Sequence, residues 1–188
     1  MQKAKLTIGC DIDDTLTPWT ASFIDYHNKK YHTHHQADHM TKFGLSEFLG
    51  LQKEEARKRM FEFAKSELSN LVPYDDAIRG IDFLHREGHD IYAISSRGDI
   101  FQDVTQNWVR KYFQNKFSGV HLTNEASPTG SKKSKAEVMG MFDIDVHIDD
   151  CLENGKRIAE KGFPGTRNIG VKSLSLTWKQ SGNCNGGS

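Results

Sequence analysis

At 188 residues the chain is long enough for one domain, or one domain with a modest insertion, and can bury a real core. Its 25 acidic and 25 basic residues cancel to zero formal charge, so nothing points to bulk electrostatic binding of a nucleic acid polymer or an anionic membrane. No apolar run approaches the roughly 18 residues of a membrane span, and MQKAKLTIGC lacks a signal-peptide layout. Cys10, Cys151 and Cys184 are too few and too scattered for a disulfide framework or a zinc site. The expectation is a soluble cytoplasmic protein.

Apolar runs bounded by turn signals occur at 5–10, 90–95, 119–122, 144–148 and 167–171. Helical patterns separate them, and this alternation predicts a parallel sheet with helices on both faces. Residues 18–73 hold no strand pattern but do hold helical ones, notably 53–68. An insertion of this length is too long for an ordinary loop and is read as a helical cap over the site. Residues 75–87 form the clearest helix, with Ile78, Ile81 and Leu84 at helical spacing and Gly88 closing its end. A helix is expected over 99–117, and another from Ser134, where Ser134-Lys135-Ala136-Glu137 is a capping box. The division is then a core of 1–17 with 74–180, a cap of 18–73, and a disordered Gly/Ser/Asn-rich tail of 181–188.

Four segments carry chemistry. In CDIDDTLT the first strand runs out into Asp11 and Asp13, two carboxylates where open α/β sheets place their sites. They can hold a divalent cation or divide into a nucleophile and an acid/base; alternatively they form an Asp-rich turn. The second strand ends in Ser95, Ser96 and Arg97, and hydroxyls and N–H groups at that position can seat a phosphate. Lys135 stands in the first turn of a helix, where the dipole disfavours it unless an anion is near, with Lys132 and Lys133 as competitors. A fourth strand ends in Asp149 and Asp150, which can complete an oxygen-rich magnesium site with Asp11 and Asp13. Without a cation, that many like charges would be crowded at one sheet edge.

Taken in order, these segments resemble the signature of the haloacid dehalogenase-like phosphatase superfamily, over residues 5–171. Within it the chain looks most like the cytosolic deoxyribonucleotidase type. The resemblance implies a Rossmann-like, doubly wound parallel sheet with a small helical cap after the first strand. It also implies a hydrolase of small phosphomonoesters, with nucleoside (deoxy)monophosphates first and a sugar phosphate or phospho-amino acid as the alternative. A non-catalytic phosphate-binding scaffold is the reading from a different class. By resemblance, Asp11 is the nucleophile that forms an aspartyl-phosphate and Asp13 the acid/base. Ser95 and Lys135 bind the phosphoryl group, and Mg2+ sits on Asp11, the Asp13 carbonyl and Asp150. Asp149 takes an indirect role, Asn154 steadies its loop, and Thr15 bonds the turn after the nucleophile. Asp14 departs from the commoner glycine.

Ser96 and Arg97 are candidate contacts to phosphate or leaving group. The cap's aromatics either stack on a nucleobase or pack the cap's own core. Trp19 and Phe23, nearest the nucleophile in sequence, are the candidates for lining the pocket. His35 and His39 sit at helical i,i+4 spacing, which would suit zinc, but no third ligand is evident and surface histidines are the alternative.

Overall fold

Four parallel strands, β1 (Thr7–Cys10), β2 (Asp90–Ser95), β3 (Gly119–Leu122) and β4 (Val146–Ile148), form one sheet in the order β3-β2-β1-β4 in the computed structural model, which describes residues 4–40, 44–127 and 130–151. β1 therefore lies in the middle, between β2 and β4. Alternation along β2 explains how the sheet is covered on both faces. Ile91 and Ala93 join Cys10 in a cluster with Ala77 and Ile81 of α4 (Asp75–Arg86) and Trp108, Val109 and Phe113 of α5 (Gln102–Phe113). Tyr92 and Ile94 point the other way, to Ala136, Val138 and Met139 of α6 (Lys135–Met141). This is the expected α/β arrangement.

The helix boundaries differ from expectation in one place. The helix expected over 99–117 is a 3-10 turn at Asp99–Phe101 followed by α5, and it ends at Phe113. Gln114 takes a left-handed φ of 54°, which stops the helix and sends the chain back towards β3. Gly88 does close α4, with φ of 88°.

Between β1 and α4 lie α1 (Trp19–Tyr31), a 3-10 turn at Ala37–His39, α2 (Leu45–Phe48) and α3 (Lys53–Glu67). These elements build a separate apolar cluster from Phe23, Ile24, Leu49, Phe63, Leu68 and Leu71, on which Phe101 and Val104 pack. The chain leaves and re-enters the sheet layer side by side. Thr17 Oγ1 donates to the Val72 carbonyl at 3.1 Å, and Tyr74 N–H to the Leu16 carbonyl at 2.9 Å. Trp108 Nε1–H fastens the return to α5 through the Leu71 carbonyl at 2.7 Å. The strand expected at 167–171, Asn154, Cys184 and the tail 181–188 lie outside the described residues.

Candidate active site

β1 leads directly into a tight turn. Asp11 N–H continues the ladder onto the Ile148 carbonyl at 2.9 Å, then Leu16 N–H and Thr17 N–H fold back on the Ile12 carbonyl. The turn requires a left-handed residue at position 14, where φ is 60°. Aspartate tolerates that region better than most residues. The Asp14 carboxylate also accepts from Thr20 N–H at 2.9 Å and from the Thr20 hydroxyl. It thereby caps α1, whose N-cap position is Pro18, a residue with no side-chain acceptor. The departure from glycine at this position is a capping residue.

At the carboxyl end of the sheet, the four segments converge in part as the sequence suggested. Lys135 Nζ lies 2.7 Å from Asp11 Oδ1 and 2.7 Å from Asp149 Oδ2, with all three side chains buried. The capping box holds this lysine in the first turn of α6: Glu137 N–H donates to Ser134 Oγ, and the Glu137 carboxylate accepts from Ser134 N–H at 2.6 Å. Lys132 and Lys133 are exposed. Carboxylate oxygens of Asp11, Asp149 and Asp150 lie within 4.8 Å of one another.

The charges of this cluster follow from its burial. Desolvation pushes the Asp11 carboxyl upward, with Lys135 opposing and the other aspartates adding to the rise. Burial, Asp149 and Asp14 push Asp150 up to about 7. Burial would raise Asp149 too, but hydrogen bonding from His147 and the charge of Lys135 outweigh it, and its pKa falls. Asp149 Oδ2 accepts from Lys135 and His147, and Oδ1 accepts from Cys151 N–H at 2.8 Å. With both oxygens engaged, this aspartate is fixed in place beneath the other two.

Ser95, the last residue of β2, is 1% exposed and accepts from Arg97 N–H at 3.3 Å. Thr15 links the first and fourth segments rather than only its own turn: its hydroxyl donates to Asp150 Oδ1 at 3.3 Å and accepts from Asp150 N–H at 3.1 Å. Ser96 turns to Glu125, at 3.5 Å.

Several features were not legible beforehand. Arg97 neither faces solvent nor stands open for a ligand; it forks onto the carboxylate of Asp13. Charge at a strand end suggested an anion, but which anion depended on where the turn at 12–17 directs Asp13. His147 is a second such residue, since an imidazole inside an apolar strand gives no periodic signal. Phe23 is a correction. It is fully buried, stacked on Trp19 at 5.4 Å and edge-on to Phe63 at 5.5 Å, so it offers no surface to a pocket. Trp19 belongs to the same cluster but remains partly exposed. The zinc geometry at His35 and His39 is also absent, because Gln36 is extended (φ −113°, ψ 125°) and the two do not share a helix.

No protein-family model matches the chain. A protein of Halalkalibacterium halodurans named "Putative nucleotidase" is 26% identical over 153 residues, 81% of this chain and 73% of its own. Among solved structures, a Bacteroides fragilis protein described as "Putative haloacid dehalogenase-like hydrolase" superposes with a TM-score of 0.58 at 14% identity, covering 92% of this chain and 99% of that one. A Clostridium difficile protein described as "Putative Phosphatase" gives 0.55 at 15% identity, covering 83% and 82%. The chain therefore shares its fold with these two proteins.

Proposed function

We propose that this chain is a phosphomonoester hydrolase in which Asp11 is the nucleophile. The observation that carries the reading is the buried Lys135, held 2.7 Å from Asp11 at the carboxyl end of the central strand. A lysine there neutralises charge on the attacking carboxylate and on an incoming phosphoryl group, which is what phosphoryl transfer asks of a protein.

Oδ of Asp11 attacks phosphorus, the bond to the leaving oxygen breaks, and Asp13 gives that oxygen its proton. Water then attacks the aspartyl-phosphate, Asp13 takes the water's proton, and the phosphorus–Asp11 bond breaks to release phosphate. Arg97 fixes the direction of the Asp13 carboxylate in the ionised form that takes the water's proton, and the first transfer requires one of its two oxygens to leave the fork. Ser95 donates its hydroxyl proton to a phosphoryl oxygen.

Asp11 and Asp150, with the Asp13 carbonyl, are the residues to hold a magnesium ion. The donor set fits a hard cation, because three crowded carboxylates of which one is pushed up to about 7 leave negative charge uncompensated. When bound, magnesium supplies charge neutralisation on the phosphoryl oxygens.

Helices 19–67 act as the cap that selects substrate, and nucleoside monophosphates are the first class, supported by the name of the H. halodurans relative. Burial of Phe23 removes one expected stacking ring, which favours a smaller phosphomonoester as the second reading. A magnesium-dependent hydrolysis screen over nucleotides, sugar phosphates and phospho-amino acids tests both, with Asp11→Asn as the inactive control. A native protein that hydrolyses none of them contradicts the proposal.

A further inference from the structure

His147 occupies the middle of β4, in the layer of Ile94, Met139 and Ile144, and is 1% exposed. Its register partner on β1 is Gly9. A Cβ at position 9 would stand 2.7 Å from His147 Nδ1, so the ring fits there only because position 9 has no side chain. Two strands are thus matched around an imidazole where an aliphatic pair would pack better.

The ring is poorly served by its surroundings on one side only. Nδ1 faces the Gly9 backbone without a well-formed hydrogen bond. An unpaired buried polar atom costs about 1–3 kcal/mol, so the fold alone gives no reason to keep it. Nε2 lies 3.1 Å from Asp149 Oδ2. That carboxylate only accepts, which puts the ring proton on Nε2, and burial keeps the ring neutral by pushing its pKa down. The same Oδ2 holds Lys135 Nζ, which holds Asp11. Three contacts therefore join His147 to Asp11.

We infer that His147 is a positioning residue for the nucleophile: by donating to Asp149 it fixes the carboxylate that steers Lys135 onto Asp11. The inference rests on the hydrolase reading above. With Oδ1 of Asp149 tied to Cys151 N–H, the bond from His147 blocks the rotation that would turn Oδ2 away from Lys135. Buried partners standing behind the groups that act in a site typically matter about 10–100-fold.

The test measures kcat and KM of the full chain on 4-nitrophenyl phosphate with magnesium. His147→Leu is expected to lower kcat by about 10–100-fold while KM moves by less than about threefold. His147→Gln, which keeps an N–H donor, recovers part of that loss. Gly9→Ala, which displaces the native ring, reproduces it. In an Asp149→Asn background His147→Leu costs little more, because the route is already cut. Native kcat in His147→Leu, no recovery with Gln, or the same factor lost in both backgrounds overturns the inference. Should His147→Leu fail to fold, the imidazole nitrogen shifts of the native protein decide: a proton on Nε2 alone is expected, and a proton on Nδ1 alone overturns it. Failure of the hydrolase reading is visible separately, as a native protein without activity.

Discussion

Arg97 grips both oxygens of Asp13, with Nε 2.9 Å from Oδ2 and a terminal nitrogen 2.6 Å from Oδ1. Its remaining nitrogen donates to Thr105 Oγ1 on α5 at 3.1 Å, so the fork is anchored in the core before it reaches the site. A bidentate pair fixes direction as well as charge, which a lysine cannot do.

Arg97→Lys should therefore lose activity although it keeps the charge, and Arg97→Met should lose more. The expected fall in kcat is about 10–100-fold on alkyl phosphates, part of the roughly 100–10,000-fold that general acid–base catalysis contributes. It should be smaller on aryl phosphates, whose leaving groups need little protonation. Equal losses on both substrate types would detach Arg97 from the proton transfer.

Asp14 combines two demands, a left-handed φ and an acceptor for the start of α1. Asp14→Asn meets both and should stay near native stability. Asp14→Gly meets only the first and should lose about 0.3 kcal/mol of capping. Asp14→Ala meets neither and should lose about 2–3 kcal/mol, since a left-handed alanine costs roughly 1–2 more. Denaturant melts rank the three, and a stable alanine variant would contradict this account of the turn.

The sheet, its central strand and the residues at the strand ends were readable in advance because apolar runs and turn signals are local. Asp11, Lys135 and Asp150 lie where periodicity and the capping box put them. What stayed hidden depends on partners distant in sequence: Arg97 on Asp13, 84 residues apart, or Thr15 on Asp150, 135 apart. Phe23 escapes the sequence for the same reason, since nearness to Asp11 along the chain says nothing about which side of α1 meets α3.

His27 gives the helical insertion a pH dependence. It is buried between Arg59, 2.9 Å from Nε2, and the Thr33 hydroxyl, 3.0 Å from Nδ1. Burial, then Arg59, then His35 push its pKa below 6.5. The unfolded chain therefore binds the proton more readily, so the stabilisation is complete above pH 6.5 and is lost as pH falls through and below that value. Between pH 7.5 and 5.5 His27 draws the melting temperature down, so His27→Gln should keep more of its stability at the acid end than the native protein does. An unchanged slope in the variant would assign the dependence elsewhere.

Asp150 has the opposite sign. Its raised carboxyl is favoured in the protonated form, so the stability it contributes below its ordinary value is lost as pH rises towards about 7. In the proposed site a divalent cation on Asp150 would relieve that penalty. Magnesium should raise the melting temperature more at pH 8 than at pH 6, and Asp150→Asn should remove most of the difference. Equal shifts at both pH values would place the cation away from Asp150.

Covalent chemistry at Asp11 is the central requirement of the proposed hydrolase. Rapid quenching during turnover, borohydride reduction and peptide mass analysis convert an aspartyl-phosphate into homoserine at the residue that carried it. Homoserine at position 11 alone, dependent on substrate and missing in Asp11→Asn, is the predicted result. Turnover with no homoserine, or with homoserine at 13, 149 or 150, would contradict it.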